Sequence, residues 1–101
     1  MDKIYILGDQ DTVSAFRLAG VEGVVSDPLH ARTALEDILA KEDAGIVLVT
    51  QALARPLESR IAELNLNRPN LVLIEIPGLD DTEGFRRSAM GYVAEALGIT
   101  L

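Results

Sequence analysis

Four apolar runs, each followed by a stretch of helical periodicity, predict an α/β fold. The expected architecture is a three-layer domain around a four-stranded parallel sheet in order 2-1-3-4, with flanking helices and a C-terminal helix. Two observations carry this beyond the bare alternation. The run Gly45 to Thr50 is apolar on both sides of the pleat, as a strand sandwiched between helical layers must be. At 101 residues there is room for one core only, so all four strands belong to one sheet.

Lys3 to Gly8, isoleucine-rich and closed by glycine, is the first strand. Asp11 to Leu18 puts Val13 and Phe16 on one helical face before Gly20 ends the helix. Gly23-Val24-Val25 is the shortest strand. Asp27-Pro28 reads as a helix start, because aspartate can cap and proline at the first helical position loses no needed N–H. That helix buries Leu35, Ile38 and Leu39, and Asp37 with Lys41 forms an expected i,i+4 pair. After the Gly45 to Thr50 strand, a third helix aligns Leu57, Ile61 and Leu64. Pro56 near its beginning either starts it or kinks it. Arg68-Pro69 breaks the chain, Leu71 to Ile76 is the fourth strand, and Pro77-Gly78 turns it. A last helix from about Gly84 to Leu97 carries Phe85, Ala89, Tyr92, Val93, Ala96 and Leu97 on one stripe, and Gly98 ends it.

Composition removes several function classes. Nine basic residues against sixteen acidic ones, a net charge of −7, provide no basic patch for nucleic acid or an anionic membrane surface. The absence of cysteine excludes disulfides, thiolate zinc sites and cysteine nucleophiles. No stretch approaches the roughly 20 apolar residues that cross a bilayer. The strand pattern begins within three residues, which reads as no signal peptide, so the expectation is a cytoplasmic chain. A mean hydropathy of +0.22 is high for a small acidic domain; apolar surface reserved for a partner gives such a value, and so does a large α/β core.

In this architecture ligands bind beyond the carboxyl ends of the strands. Those ends hold Gly8-Asp9-Gln10-Asp11, Ser26-Asp27, Thr50-Gln51 and Pro77-Gly78. Asp9 and Asp11 could begin a Mg²⁺-dependent phosphoacceptor site. That chemistry also needs an aspartate after the third strand and a lysine after a later one. Thr50 and Ile76-Pro77 stand there instead, and no lysine follows Lys41. Neither G-x-G-x-x-G nor a Walker loop is present. His30 is the only histidine, too few for zinc, and no G-x-S-x-G elbow surrounds Ser14, Ser26, Ser59 or Ser88. The structural reading of the opening motif is a helix cap: Asp9 or Asp11 caps the first helix, with Thr12 or Ser14 near the third helical position, worth ~1 kcal/mol. No cofactor or metal is expected.

The string from Gly8 to Gly23, GDQDTVSAFRLAGVEG, resembles the N-terminal signature of the F subunit of archaeal and bacterial A/V-type rotary ATPases. Asn67-Arg68-Pro69 and Ile74 to Gly78 are similar to that family's fourth strand and flanks, and Tyr92 to Ile99 to its C-terminal helix. The resemblance is collinear over essentially the whole chain. It implies a non-catalytic central-stalk subunit that binds the coiled-coil D subunit. Such a subunit turns inside the catalytic A/B ring and helps couple ATP hydrolysis or synthesis to H⁺ or Na⁺ transport, peripheral to the membrane. It further implies a mobile C-terminal helix, residues 84–101, that meets the A/B ring transiently. Candidate partner-binding residues are Arg17, Arg86, Arg87 and Tyr92. Arg17 sits among Phe16, Leu18 and Ala19; stacking on its own fold is the other reading of it. Arg86 and Arg87 stand in the first turn of the last helix, where positive charge opposes the dipole unless solvent or an acidic partner meets it. Gly91 inside that helix weakens it by ~1 kcal/mol relative to alanine, or serves close packing on the sheet. The competing reading is a stand-alone pseudo-receiver or small-ligand sensor using Asp9, Asp11 and Thr50.

Overall fold

Every strand is reached through a helical crossover, and every strand pair is parallel, in the order β2-β1-β3-β4. The computed structural model describes residues 2–78. They run β1 (Lys3–Gly8), α1 (Gln10–Arg17), β2 (Glu22–Val25), α2 (Ala31–Ala40), β3 (Ala44–Thr50), α3 (Gln51–Ala54), a 3-10 turn (Arg55–Leu57), α4 (Glu58–Asn67) and β4 (Val72–Ile76). The expected C-terminal helix, with Gly91, lies outside the described residues.

The period of two along each strand assigns residues to faces. Tyr5 and Leu7 of β1, Val47 and Val49 of β3, and Leu73 of β4 point into one buried cluster with Leu35, Ile38 and Leu39 of α2, Leu53 of α3, Leu57 and Leu64. Burying each such side chain contributes about 1.5–3 kcal/mol, which makes this face the main stabiliser of the domain. Arg60 of α4 ties the helical layer together by donating to both Glu36 oxygens of α2, at 2.7 and 3.2 Å. Tyr5 is fixed at its tip, where its hydroxyl donates to Asp43 Oδ1 at 2.7 Å. That hydrogen bond to a carboxylate, together with burial, pushes the phenol up to about 12.

The other face carries Ile4, Ile6 and Gly8 of β1, Ile46, Leu48 and Thr50 of β3, and Val72, Ile74 and Ile76 of β4. They align in cross-strand rows such as Ile6–Leu48–Ile74. Helix α1 packs here on β1 and β2. It is eight residues long, about 12 Å, too short to cover four strands. Its exit is closed by Gly20 at φ +85°, with Gly20 N–H donating to Arg17 O and Val21 N–H to Phe16 O. Glycine is the residue that adopts this left-handed geometry without strain.

Three expectations are corrected. Helix α2 does not begin at Asp27-Pro28: those residues form a separate turn, in which His30 N–H donates to both Asp27 O and Asp27 Oδ1, and the helix starts at Ala31. Asp27 therefore caps a turn one step upstream of the helix. The Asp37–Lys41 pair does not form. Lys41 Nζ instead lies 5.5 Å from the centre of the Tyr5 ring, a cation–π contact that draws it towards the sheet. The third helix is two helices, α3 and α4, joined through the 3-10 turn that contains Pro56. Of the two readings of Pro56 the kink holds, because proline removes the N–H that would continue an α-helix through it.

Candidate functional site

At the carboxyl end of β1 the acidic motif resolves into a cap. Asp9, in extended conformation, precedes α1; its Oδ2 accepts from Thr12 N–H at 3.1 Å and its Oδ1 from the Thr12 hydroxyl at 2.6 Å. Of the open pairings, then, Asp9 with Thr12 forms. Burial works against the Asp9 charge. The hydroxyl and N–H of Thr12, with further backbone N–H groups, outweigh it and hold the carboxyl below its ordinary value. Asp11 sits exposed in the first turn of α1, where negative charge suits the helix dipole. With both Asp9 oxygens committed to Thr12, the pair does not present a free carboxylate cluster. No group of three His, Asp or Glu residues spaced to hold a metal occurs among the described residues.

Thr50, the third member of the mouth, is 2% exposed, and its hydroxyl has no hydrogen-bond partner among the described residues. It lies against Gly8: a Cβ at Gly8 would come within 2.6 Å of Thr50 Cγ2. Gly8 is thus required by strand-to-strand closeness, a reason beyond the sharp exit of the chain expected from sequence. A hydroxyl shut behind that contact is placed to pack, not to receive a ligand from solvent.

His30 and Asp27 form an exposed pair, with Nδ1 2.9 Å from Oδ1. The backbone and ring nitrogens of His30 hold the Asp27 carboxyl below its usual range. Ser26 donates to Asp27 O, Ser14 and Ser59 are exposed on α1 and α4, and Ser88 lies outside the described residues. None of Ser14, Ser26 or Ser59 is hydrogen-bonded to His30. No nucleophile–base relay assembles among them.

Arg17, the partner-binding candidate within the described residues, lies on its own fold. Its Nη2 donates to Gly23 O at 3.2 Å, and its side chain crosses Gly23, where a Cβ would collide with Arg17 Nε and Val13 Cγ1. The guanidinium has five donors, so most of its capacity still faces outward. Arg86, Arg87 and Tyr92 lie outside the described residues.

The feature that composition hinted at, and that no single motif marked, is the β3–β4 half of the α1 face. Ile6 beneath α1 is wholly buried, whereas Val72 and Ile74 of β4 are 46% and 43% exposed. Among the described residues no second helix packs on this half, since α2, α3 and α4 send their buried side chains into the opposite cluster. Parallel sheets are normally covered on both faces, so this row of Ile and Val is a part of the sheet that the described residues leave half-covered. The signal in the sequence was the β4 string Val72-Leu73-Ile74-Glu75-Ile76, apolar at both parities apart from Glu75. Asn65 was also missed. Its amide engages the backbone of Leu73 twice, and an asparagine inside a helix is the signal that could have found it.

Comparison with known proteins follows the same direction. The sequence pattern of the ATP synthase (F/14-kDa) subunit matches residues 4–93. The A-type ATP synthase F subunit of Thermococcus kodakarensis is 31% identical over an alignment covering 98% of this chain and 97% of that one. The protein of the same name in Pyrococcus abyssi is 35% identical over 74% of each chain. The V-type ATP synthase F subunit of Fusobacterium nucleatum is 39% identical, covering 64% of this chain and 62% of its own.

Proposed function

The chain belongs to the family of the ATP synthase (F/14-kDa) subunit, and on that premise we propose that it is a non-catalytic rotor component of an A/V-type rotary ATPase. Membership makes it part of an ATP synthase complex, with its partners inside that complex. In the proposed role it grips the coiled-coil D subunit of the central stalk and helps couple ATP hydrolysis or synthesis in the A/B ring to H⁺ or Na⁺ movement. The protein then sits on the cytoplasmic side, peripheral to the membrane; no helix among the described residues is long and apolar enough to cross one. In this role residues 84–101 meet the A/B ring, Arg86 and Arg87 face partner carboxylates, and Arg17 and Tyr92 serve as further partner contacts.

The observation that supports this reading best is the open half-sheet. Among the described residues, Val72 and Ile74 of β4 offer an apolar surface on a strand, suited to the apolar stripe of a helix. The mouth, by contrast, has its best-placed carboxylate locked in a cap. Co-purification of the full chain with the D subunit is the direct test. Ile74→Asp should lower affinity for D by at least roughly tenfold, ~1.4 kcal/mol, because it places a charge in an apolar contact. Unchanged affinity in that variant removes the half-sheet from the interface. Alanine at both Arg86 and Arg87 should lower D-subunit affinity or holoenzyme ATPase; no change in either measurement removes the two arginines.

A further inference from the structure

Among the described residues the four-stranded parallel sheet has two edges, both β-prone: β2 on one side and β4 on the other. Strand β4, rich in Val and Ile, is the more dangerous. An uncapped edge of that composition is a template for another strand. The structure closes it at its centre. Asn65, on the last turns of α4, turns its side-chain amide to Leu73: Nδ2 donates to Leu73 O at 3.1 Å, and Leu73 N–H donates to Oδ1 at 2.9 Å. One primary amide thus satisfies the donor and the acceptor of one residue together, as a neighbouring strand would. Just before the strand, Leu71 N–H is taken by Arg68 O at 3.1 Å.

The β2 edge has a lighter version of the same device. Ser26 N–H donates inward to Gly8 O, so by alternation Gly23 directs its own backbone groups outward. The Gly23 carbonyl is the one that Arg17 occupies. β2 is short and begins with a charged Glu22, which already discourages pairing.

We infer that Asn65 stops the sheet at four strands, blocking antiparallel pairing of β4 with the β4 of a second copy of this chain, and that Arg17 makes the corresponding, weaker closure on β2. A β4–β4 joint would continue the sheet across two molecules and join their open Ile and Val rows into one apolar face. The gain from that joining is why the edge needs a guard. This inference concerns self-association of the chain and stands apart from the reading of its role in a complex.

The test is the oligomeric state of the full chain with Asn65→Ala, beside Asn65→Asp and Arg60→Met. Asn65→Ala bares the Leu73 groups, and its self-association constant should rise by at least roughly tenfold, ~1.4 kcal/mol, in sedimentation velocity. Asn65→Asp keeps an acceptor for Leu73 N–H and sets a charge on the edge, so it should stay as the parent. Arg60→Met loosens α4 from α2 without exposing strand backbone, and should also stay as the parent. Amide exchange at Leu73 should accelerate by at least roughly tenfold in the alanine variant and stay slow in the aspartate variant. An alanine variant that matches the parent in both association and Leu73 exchange overturns the inference, as does association of the aspartate or Arg60 variant. Should the alanine variant not fold, fast Leu73 exchange in the parent or the aspartate variant overturns it, and slow exchange in both supports it.

Discussion

The two faces of the sheet are made from the same strands, residue by alternate residue, yet they are finished differently. On one, Tyr5, Leu7, Val47, Val49 and Leu73 meet three helices and a 3-10 turn and disappear from solvent. On the other, α1 reaches β1 and β2, and burial fades across the sheet from Ile6 to Ile74. Chemically the rows are alike, dominated by Ile, Leu and Val. What separates them among the described residues is the supply of covering helices: three and a 3-10 turn on one side, α1 alone on the other.

The contrast is broken most directly by truncating one residue on each face. Leu35→Ala, at a fully buried site, should cost about 2–5 kcal/mol in urea denaturation, through lost burial and a residual cavity. Ile74→Ala should cost roughly 1 kcal/mol or less, since nearly half of that side chain is already in water. Equal losses at the two sites would mean that the open face is as much a part of the core as the filled one.

A smaller effect tests whether the mouth belongs with the framework. Asp9→Ala should cost ~1 kcal/mol at neutral pH, by leaving the Thr12 N–H without its cap. The Asp9 carboxyl titrates lower when folded than when unfolded. Its contribution is therefore complete above the unfolded value near ~4 and is lost as pH falls through the lower folded value. The stability gap between parent and variant should accordingly narrow on acidification below about pH 4. A gap that widens there would show that Asp9 is not acting as an ionised cap.

The smallest expected change has the opposite sign. Thr50→Val keeps the shape of a buried side chain and removes a hydroxyl that has no partner among the described residues, so stability should rise by up to about 1 kcal/mol. Loss of stability on that substitution would reveal a hydrogen bond to the hydroxyl.

The periodicities of the sequence are short-range, and what depends on them was legible without tertiary information. The buried stripe of Leu35, Ile38 and Leu39 and a helix cap drawn from Asp9 or Asp11 follow from spacing and residue type over a few positions, and the order 2-1-3-4 from the alternation of strands and helices along the chain. Where two local solutions compete, the sequence stops short. Asp27-Pro28 can open a helix or close a turn; Lys41 can pair with Asp37 or lie over Tyr5. In each case the surrounding fold decides. Asn65 guards Leu73 only because α4 returns antiparallel beside the edge strand. Among the described residues, the exposure of Val72 and Ile74 follows from one short helix, α1, lying over β1 and β2. Apolar character is a property of the chain; exposure is a property of what the fold brings next to it.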